Sequence, residues 1–201
     1  MITVNAVGKA CPEPVIMTRA AVEKGAAELE VLVDNAVAVS NVTRFLEGQG
    51  FRVQHRENGG EFKLTARRDG AAASAGSAAV ADSAPRPQGK ARLAVLIAGK
   101  TLGREDKELG EVLIKGFLGT LSKLETPPAV LALMNEGVKL ALSDASTCDH
   151  LKDLESAGTK ILVCGTCVNH FGIVDSVGVG VISNMLEIVE ALNGSGRILS
   201  L

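Results

Sequence analysis

The feature that most constrains this chain is a stretch of small residues near its middle. Residues 71–87 read AAASAGSAAVADSAPRP, which is rich in Ala, Ser and Gly and contains almost no large apolar side chain. Such a stretch cannot bury a core, and its Ser and Gly content and closing Pro-Arg-Pro favour a flexible linker over a helix. We therefore predict an N-terminal domain over residues 1–70, a linker over 71–89 and a C-terminal domain over 90–201.

The N-terminal part has the element order βαβαββ. Strands are predicted at residues 2–4, 29–33, 51–57 and 61–67, and helices at residues 15–24 and from Asp34 or Asn35 to residues 48–50. Asn58-Gly59-Gly60 between the last two strands is a strong hairpin signal. This order predicts an α/β fold in which helices cover one face of a sheet, a two-layer sandwich.

Strand and helix alternate through the C-terminal part. Strands are predicted at residues 93–98, 130–134, 161–163, within 177–182 and at 197–199, and helices at residues 106–125, 146–157 and 184–192. Ser146-Thr147-Cys148-Asp149 resembles a capping box that opens the second of these helices. The alternation predicts a parallel sheet with helices on both faces, a three-layer α/β domain.

The first helix of the C-terminal part is predicted to be long and amphipathic. Its apolar face is assigned to five residues that recur at helical spacing: Leu109, Val112, Leu113, Phe117 and Leu121.

Composition excludes several classes of function. The net charge is -2 and the chain has no Trp or Tyr, so it lacks the basic field and the aromatic platforms that bind nucleic acid. No apolar run reaches the roughly 20 residues that span a bilayer, and the chain starts on a strand pattern rather than a signal peptide. Four cysteines without secretion signals favour thiols in a reducing cytosol, so we predict a cytoplasmic protein.

Cys11 is the first candidate site residue. It lies in the motif Cys11-Pro12-Glu13-Pro14, immediately before the first predicted helix. Unpaired backbone N–H groups and the dipole at a helix start favour a thiolate, which can attack a sulfur atom and hold it as a persulfide. The alternative is a small apolar core residue, the usual role of a free cysteine. A proline-bounded loop at a helix start usually lies at the surface, which favours the reactive interpretation.

Cys164-Gly165-Thr166-Cys167 is the second candidate site. It follows an apolar strand of the parallel sheet, where ligands and reactive groups gather at the carboxyl ends of strands. Two thiols at this spacing can form a reversible disulfide, one attacking and one resolving, and His170 could assist proton transfer.

Other interpretations of these cysteines stay open. Zinc could be held by Cys164, Cys167 and His170 with Cys148 or His150, but the Cys-x2-Cys-x2-His spacing is tighter than usual and Cys148 lies on a separate predicted helix. Simple packing is the third interpretation, and we prefer it for Cys148. We predict no metal and no cofactor. Residues 94–101, AVLIAGKT, fit a loose phosphate-loop pattern, but their first positions form the interior of a strand.

The motif Gly8-Lys9-Ala10-Cys11-Pro12-Glu13-Pro14 resembles the signature of TusA/SirA-type sulfur carriers, small βαβαββ proteins with a Cys-Pro-x-Pro motif. The resemblance covers about seventy residues in element order as well as motif. It implies that Cys11 carries a persulfide. The chain departs from the pattern at Asn5, where family members often have an acidic residue.

The C-terminal part resembles DsrE-like domains, a fold also found in sulfur relay proteins. Together with its N-terminal partner it is similar to the YedF-like, sulfurtransferase-like proteins associated with selenium metabolism, through four segments: Leu109-Gly110, residues 135–140 (NEGVKL), Cys164-Gly165-Thr166-Cys167 and Asn184-Met185. The resemblance implies a persulfide or perselenide carrier with relay from Cys11 to Cys164 or Cys167. It implies a donor such as a cysteine desulfurase, an acceptor protein and a homo-oligomer formed through the DsrE-like domain.

Two other functions remain open from the residues alone. One is a thiol–disulfide oxidoreductase that uses Cys164 and Cys167. The other is a partner-binding module of a sulfur-trafficking complex that performs no chemistry of its own.

Overall fold

A computed structural model of the chain describes residues 1–68, 92–103 and 105–201. The chain divides into two compact units, and their described parts lie on either side of residues 69–91. The predicted linker, residues 71–89, lies outside the described residues. In the part of the chain that is described, no helix is both long and apolar enough to cross a membrane.

The N-terminal unit is a four-stranded sheet with two helices. Its elements are β1 (Ile2–Asn5), α1 (Glu13–Glu23), β2 (Glu28–Val33), α2 (Ala36–Gly48), β3 (Phe51–Asn58) and β4 (Glu61–Arg68). The strand order is β1-β2-β4-β3, in which β1 and β2 are parallel and the other pairs are antiparallel. Asn35 caps α2 by accepting a hydrogen bond from the Ala38 N–H at 2.8 Å. The predicted βαβαββ order is confirmed.

The C-terminal unit is an all-parallel five-stranded sheet covered by helices. Its elements are β5 (Leu93–Ile97), α3 (Lys107–Leu121), β6 (Val130–Leu133), a 3-10 helix (Asn135–Ala141), α4 (Cys148–Ser156), β7 (Lys160–Cys164), α5 (Gly165–Phe171), a short 3-10 turn (Val174–Ser176), β8 (Val181–Ser183), α6 (Met185–Asn193) and β9 (Arg197–Ser200). The strand order is β8-β7-β6-β5-β9. The predicted parallel sheet is confirmed. Its central strands are buried on both faces, as their continuous apolar runs require.

The apolar face predicted for α3 is wrong at three of its five positions, whereas Phe117 and Leu121 pack on the core as predicted. Leu109, Val112 and Leu113 are 54%, 68% and 43% exposed. The buried face also includes three positions that were not predicted: Gly110, Ile114 and Leu118. The physical reason is a close approach at Gly110, whose carbonyl accepts the Leu102 N–H at 3.0 Å. A side chain there would lie 2.8 Å from Cβ of Thr101, so only glycine lets the preceding loop pack on this face.

The capping box predicted at the start of α4 is also wrong. Thr147 is the residue before the helix, but its hydroxyl donates to the carbonyl of Leu140 at 2.7 Å instead of accepting from a helix N–H. The hydroxyl therefore anchors the preceding 3-10 helix to α4. This contact between two buried groups satisfies a backbone carbonyl that would otherwise be costly to bury.

The 3-10 helix Asn135–Ala141 rests on the end of β5. Met134 N–H donates to the Ile97 carbonyl at 3.0 Å, and Gly137 N–H donates to the Ala98 carbonyl at 3.2 Å. A Cβ on Gly137 would lie only 2.3 Å from the Ile97 carbonyl oxygen. The absence of a side chain at Gly137 therefore allows this turn to close over the carboxyl end of the sheet.

Candidate functional site

Cys11 lies in the loop between β1 and α1. It is half-buried, its thiol is free, and the Cys11–Pro12 peptide bond is cis. Pro12 is the residue before the helix and Pro14 occupies its first turn, as the sequence predicts.

The N–H groups at the start of α1 differ from the prediction. The Glu13 N–H donates to the Ala10 carbonyl at 2.9 Å, and the Val15 N–H donates to the Pro12 carbonyl at 3.0 Å, while Pro14 has no N–H. These first-turn donors are therefore used within the loop and the helix itself. The helix dipole therefore favours negative charge on the Cys11 sulfur, and the half-buried position leaves that sulfur partly accessible.

The loop that carries Cys11 is tied to the start of α2. The Gly8 N–H donates to Oδ2 of Asp34 at 2.6 Å, and the Val7 N–H donates to Oδ1 of Asn5 at 3.1 Å. The Gly8 N–H, followed by the side chain of Asn35, holds the pKa of the Asp34 carboxyl below its ordinary value. Asn5 thus acts as a neutral acceptor that shapes the loop.

Cys164 and Cys167 lie at the carboxyl end of β7. Cys164 is the last residue of the strand and is 2% exposed, whereas Cys167 is half-buried on α5. The Cys167 thiol and the N–H groups of Cys167 and Thr166 lie close enough to the Cys164 thiol to influence its pKa. The structure therefore brings together the two cysteines of the motif as one buried and one accessible thiol.

Burial raises the pKa of the Cys164 thiol from an ordinary value of 9.0 to about 11. The neighbouring Cys167 thiol acts in the same direction, and the two backbone N–H groups oppose it without cancelling it. At neutral pH the Cys164 thiol is therefore protonated.

A pH dependence of stability follows from this raised pKa. Between about pH 9 and pH 11 the unfolded Cys164 thiol ionises while the folded one keeps its proton. Rising pH then favours the unfolded state, and the free energy of unfolding falls by roughly 1–3 kcal/mol from this group. We expect Cys164→Ala to show a shallower fall, in denaturant unfolding followed by circular dichroism at about pH 8 and about pH 10.5. Equal falls in the two proteins would contradict the assignment.

Asn135 is a site residue that the sequence analysis missed. Its backbone N–H donates to the sulfur of Cys167 at 3.1 Å. Its φ is 46°, and among the described residues it is the one non-glycine with a positive φ. Asn tolerates this left-handed conformation better than most residues, so Asn135-Glu136-Gly137 after a buried strand was the available signal.

Other residues considered from the sequence lie elsewhere. His170 is exposed and packs edge-to-face on Phe171, with 5.2 Å between ring centroids. Cys148 is fully buried in the core, and His150 on the same helix lies against Gly119 of α3. Within the ranges that the structure describes, no group of three or more His, Cys, Asp or Glu side chains could hold a metal ion.

Fold and site together define a two-domain α/β protein with free thiols in both domains. Residues 2–68 match the family model described as sulfurtransferase TusA, and residues 116–201 match the DsrE/DsrF-like family. Residues 2–68 are therefore a TusA domain, and residues 116–201 belong to a DsrE/DsrF-like domain. Both families are related to sulfur transfer, which supports a general role of this protein as a sulfur carrier. No curated protein matches the chain.

Three solved structures are similar to parts of the chain. A SirA-like protein from Desulfitobacterium hafniense is 35% identical, with 33% of this chain and 96% of that chain covered and a TM-score of 0.31. A protein of unknown function from Methanobacterium thermoautotrophicum is 17% identical, with 56% of this chain and 100% of that chain covered and a TM-score of 0.41. The ychN protein from E. coli is 18% identical, with 55% of this chain and 99% of that chain covered and a TM-score of 0.39.

Proposed function

We propose that this protein is a sulfurtransferase-like carrier that holds sulfur, or selenium, as a persulfide or perselenide on Cys11. The observation that carries the proposal is the free, half-buried Cys11 thiol at the entry of α1 in a TusA domain. The accessible position lets a donor reach the sulfur, and the α1 dipole favours negative charge on it. The Asp34 contact with Gly8 holds the loop in place during transfer.

Each transfer is a displacement between sulfur atoms. The Cys11 thiolate attacks the outer sulfur of a donor persulfide, the donor thiolate leaves, and Cys11 now carries the outer sulfur. An acceptor thiolate then removes that sulfur by the same step and restores the Cys11 thiolate. No net oxidation occurs, so neither step needs a cofactor. The partners are a donor protein such as a cysteine desulfurase and an acceptor protein.

Relay within the chain is the second part of the proposal. Residues 1–70 and 90–201 act as domains joined by a linker over residues 71–89, and sulfur passes from Cys11 to Cys164 or Cys167. A flexible tether of this length gives an effective concentration on the order of millimolar between two sites. The protein works in the cytoplasm, and its DsrE-like domain assembles with copies of itself.

Intact-mass spectrometry after exposure to a cysteine desulfurase tests the carrier function. With cysteine as substrate, the wild type should gain the mass of one sulfur on the peptide that contains Cys11, and selenocysteine tests selenium in the same way. Cys11→Ala should lose this addition almost completely, because no other thiol lies in that peptide. Cys167→Ser is the matched control and should keep it. Unchanged loading in Cys11→Ala would refute the proposal.

A second function, thiol–disulfide exchange, is favoured by the contact between the Cys164 and Cys167 thiols. It requires a reversible disulfide between them, and failure to trap one across a range of redox buffers would remove it. The partner-binding alternative requires full function after Cys11, Cys164 and Cys167 are all replaced by Ser.

A further inference from the structure

We infer that the Cys164–Cys167 pair discharges persulfide sulfur as hydrosulfide, with Cys167 as the accepting thiol and Cys164 as the resolving thiol. The inference rests on the proposed function only in taking a persulfide as the substrate. It assigns a different role to each cysteine and adds a reaction that ends the transport of the cargo.

Accessibility selects Cys167 as the acceptor. Cys167 is half-buried and Cys164 is 2% exposed, so only the former can meet a persulfide on another molecule or on another domain. The Asn135 N–H, which donates to the Cys167 sulfur at 3.1 Å, holds that sulfur in one position. Asn135 is itself exposed, so the donor to the Cys167 sulfur lies near the surface of the domain.

Contact and burial select Cys164 as the resolving thiol. The Cys164 thiol neighbours the Cys167 thiol and is buried, so no external donor can reach it. Its raised pKa keeps it protonated and unreactive toward solvent until a persulfide forms beside it. An in-line displacement sends the leaving sulfur away from the attacking thiol, which here is toward the open side.

The chemistry balances in three steps. The Cys167 thiolate takes the outer sulfur from the donor persulfide, and the donor thiolate leaves. The Cys164 sulfur then attacks the inner sulfur of the Cys167 persulfide, a Cys164–Cys167 disulfide forms, and hydrosulfide leaves with the Cys164 proton. The outer sulfur is reduced and the two thiols are oxidised. A dithiol reductant finally returns two electrons and two protons to the disulfide.

Asn135 acts in this scheme as a positioning residue. The left-handed conformation at φ 46° turns the chain from β6 into the 3-10 helix directly after the N–H that donates to Cys167. A β-branched residue strongly resists this conformation, whereas glycine adopts it freely. The residue type at this position therefore controls whether the donor to Cys167 is kept.

A single-turnover reaction of the full-length, reduced protein with glutathione persulfide tests the assignment. Every variant carries Cys11→Ser, so that only the C-terminal thiols are observed and a failure of Cys11 loading remains a separate result. The parent should release hydrosulfide and lose two hydrogens on the peptide that contains Cys164 and Cys167. In Cys164→Ser the added sulfur should stay on Cys167 and release should slow at least about tenfold. Cys167→Ser should take up no sulfur on that peptide.

Two results would overturn the inference. One is hydrosulfide release by Cys164→Ser at the parent rate, and the other is sulfur uptake on Cys164 in Cys167→Ser. Cys164→Ala provides a second variant at the buried position, since it places no hydroxyl in the core, and it should retain sulfur on Cys167 in the same way.

The role of Asn135 is tested by a matched pair in the same background. Asn135→Gly should accept sulfur at a rate within about twofold of the parent, because glycine keeps the backbone conformation. Asn135→Val should slow uptake on Cys167 at least about tenfold, because valine resists this conformation and the turn that carries the N–H must shift. The unfolding free energy of both variants shows whether each is folded. Equal uptake by two folded variants would remove the positioning role.

Discussion

Gly137→Ala is expected to lower the free energy of unfolding of the C-terminal unit by about 2–4 kcal/mol. The added Cβ would lie 2.3 Å from the Ile97 carbonyl oxygen and 3.0 Å from the Ile97 carbonyl carbon. Both atoms belong to the backbone at the end of β5, so they cannot rotate aside as a flexible side chain would. The turn must move, and the contacts from Met134 to Ile97 and from Gly137 to Ala98 weaken with it.

Gly116→Ala is the matched control and should change stability in the opposite direction. Gly116 lies inside α3, is exposed, and has no atom within 4 Å of an added Cβ. Alanine there should raise the free energy of unfolding by about 0.5–1 kcal/mol through helix propensity. The chain has no Trp or Tyr, so denaturant unfolding is best followed by circular dichroism. A Gly137→Ala protein as stable as Gly116→Ala would contradict the close approach.

Leu162→Ala is expected to lower the free energy of unfolding of the C-terminal unit by about 2–5 kcal/mol, because it opens a cavity beside the centre of the sheet. Leu162 is fully buried on β7, the strand that ends in Cys164. The buried thiol of Cys148 provides the measurement, since a reagent reaches it only when the unit opens. A decrease of about 3 kcal/mol in the free energy of unfolding should speed alkylation of Cys148 by on the order of 100-fold.

Val189→Ala is the control for this cavity. Val189 lies on α6 and is 52% exposed, so its truncation should change stability by less than about 0.5 kcal/mol. Alkylation of Cys148 should then stay within about threefold of the wild-type rate. Similar acceleration in Val189→Ala and Leu162→Ala would show that labelling reports local motion of α4 rather than opening of the core.

Elements with local signals were predictable from the sequence. Asn58-Gly59-Gly60 specifies the β3–β4 hairpin, and Asn35 and Asn184 cap α2 and α6 with their own side chains. The buried strands β5, β6 and β7 are short continuous apolar runs, which is typical of a parallel sheet. These features depend on neighbours within a few residues, so the pattern alone identifies them.

The orientation of α3 was not predictable in the same way. Two sets of apolar positions recur at helical spacing along it, one with Leu109 and Leu113 and the other with Ile114 and Leu118. Periodicity cannot choose between two such sets. The choice depends on Gly110, against which the Thr101 loop packs, and this contact exists only in three dimensions.

The candidate site was predictable only in part. The position of Cys11 at a helix entry followed from Pro12 and Pro14, but the use of the first-turn N–H groups by Ala10 and Pro12 did not. The donor to Cys167 is Asn135, which lies 32 residues earlier in the chain. A contact over that separation is created by the alignment of β6 with β7 and has no local sequence pattern.

The pairing of β9 with β5 affects how the C-terminal unit folds during synthesis. Arg197–Ser200 forms hydrogen-bonded pairs with residues 93–96, although about a hundred residues separate them in the chain. During synthesis, one edge of β5 therefore stays unpaired until β9 has left the ribosome. Such a nascent sheet is slow to close and exposed to wrong partners, so the unit should depend on chaperones more than its modest size suggests.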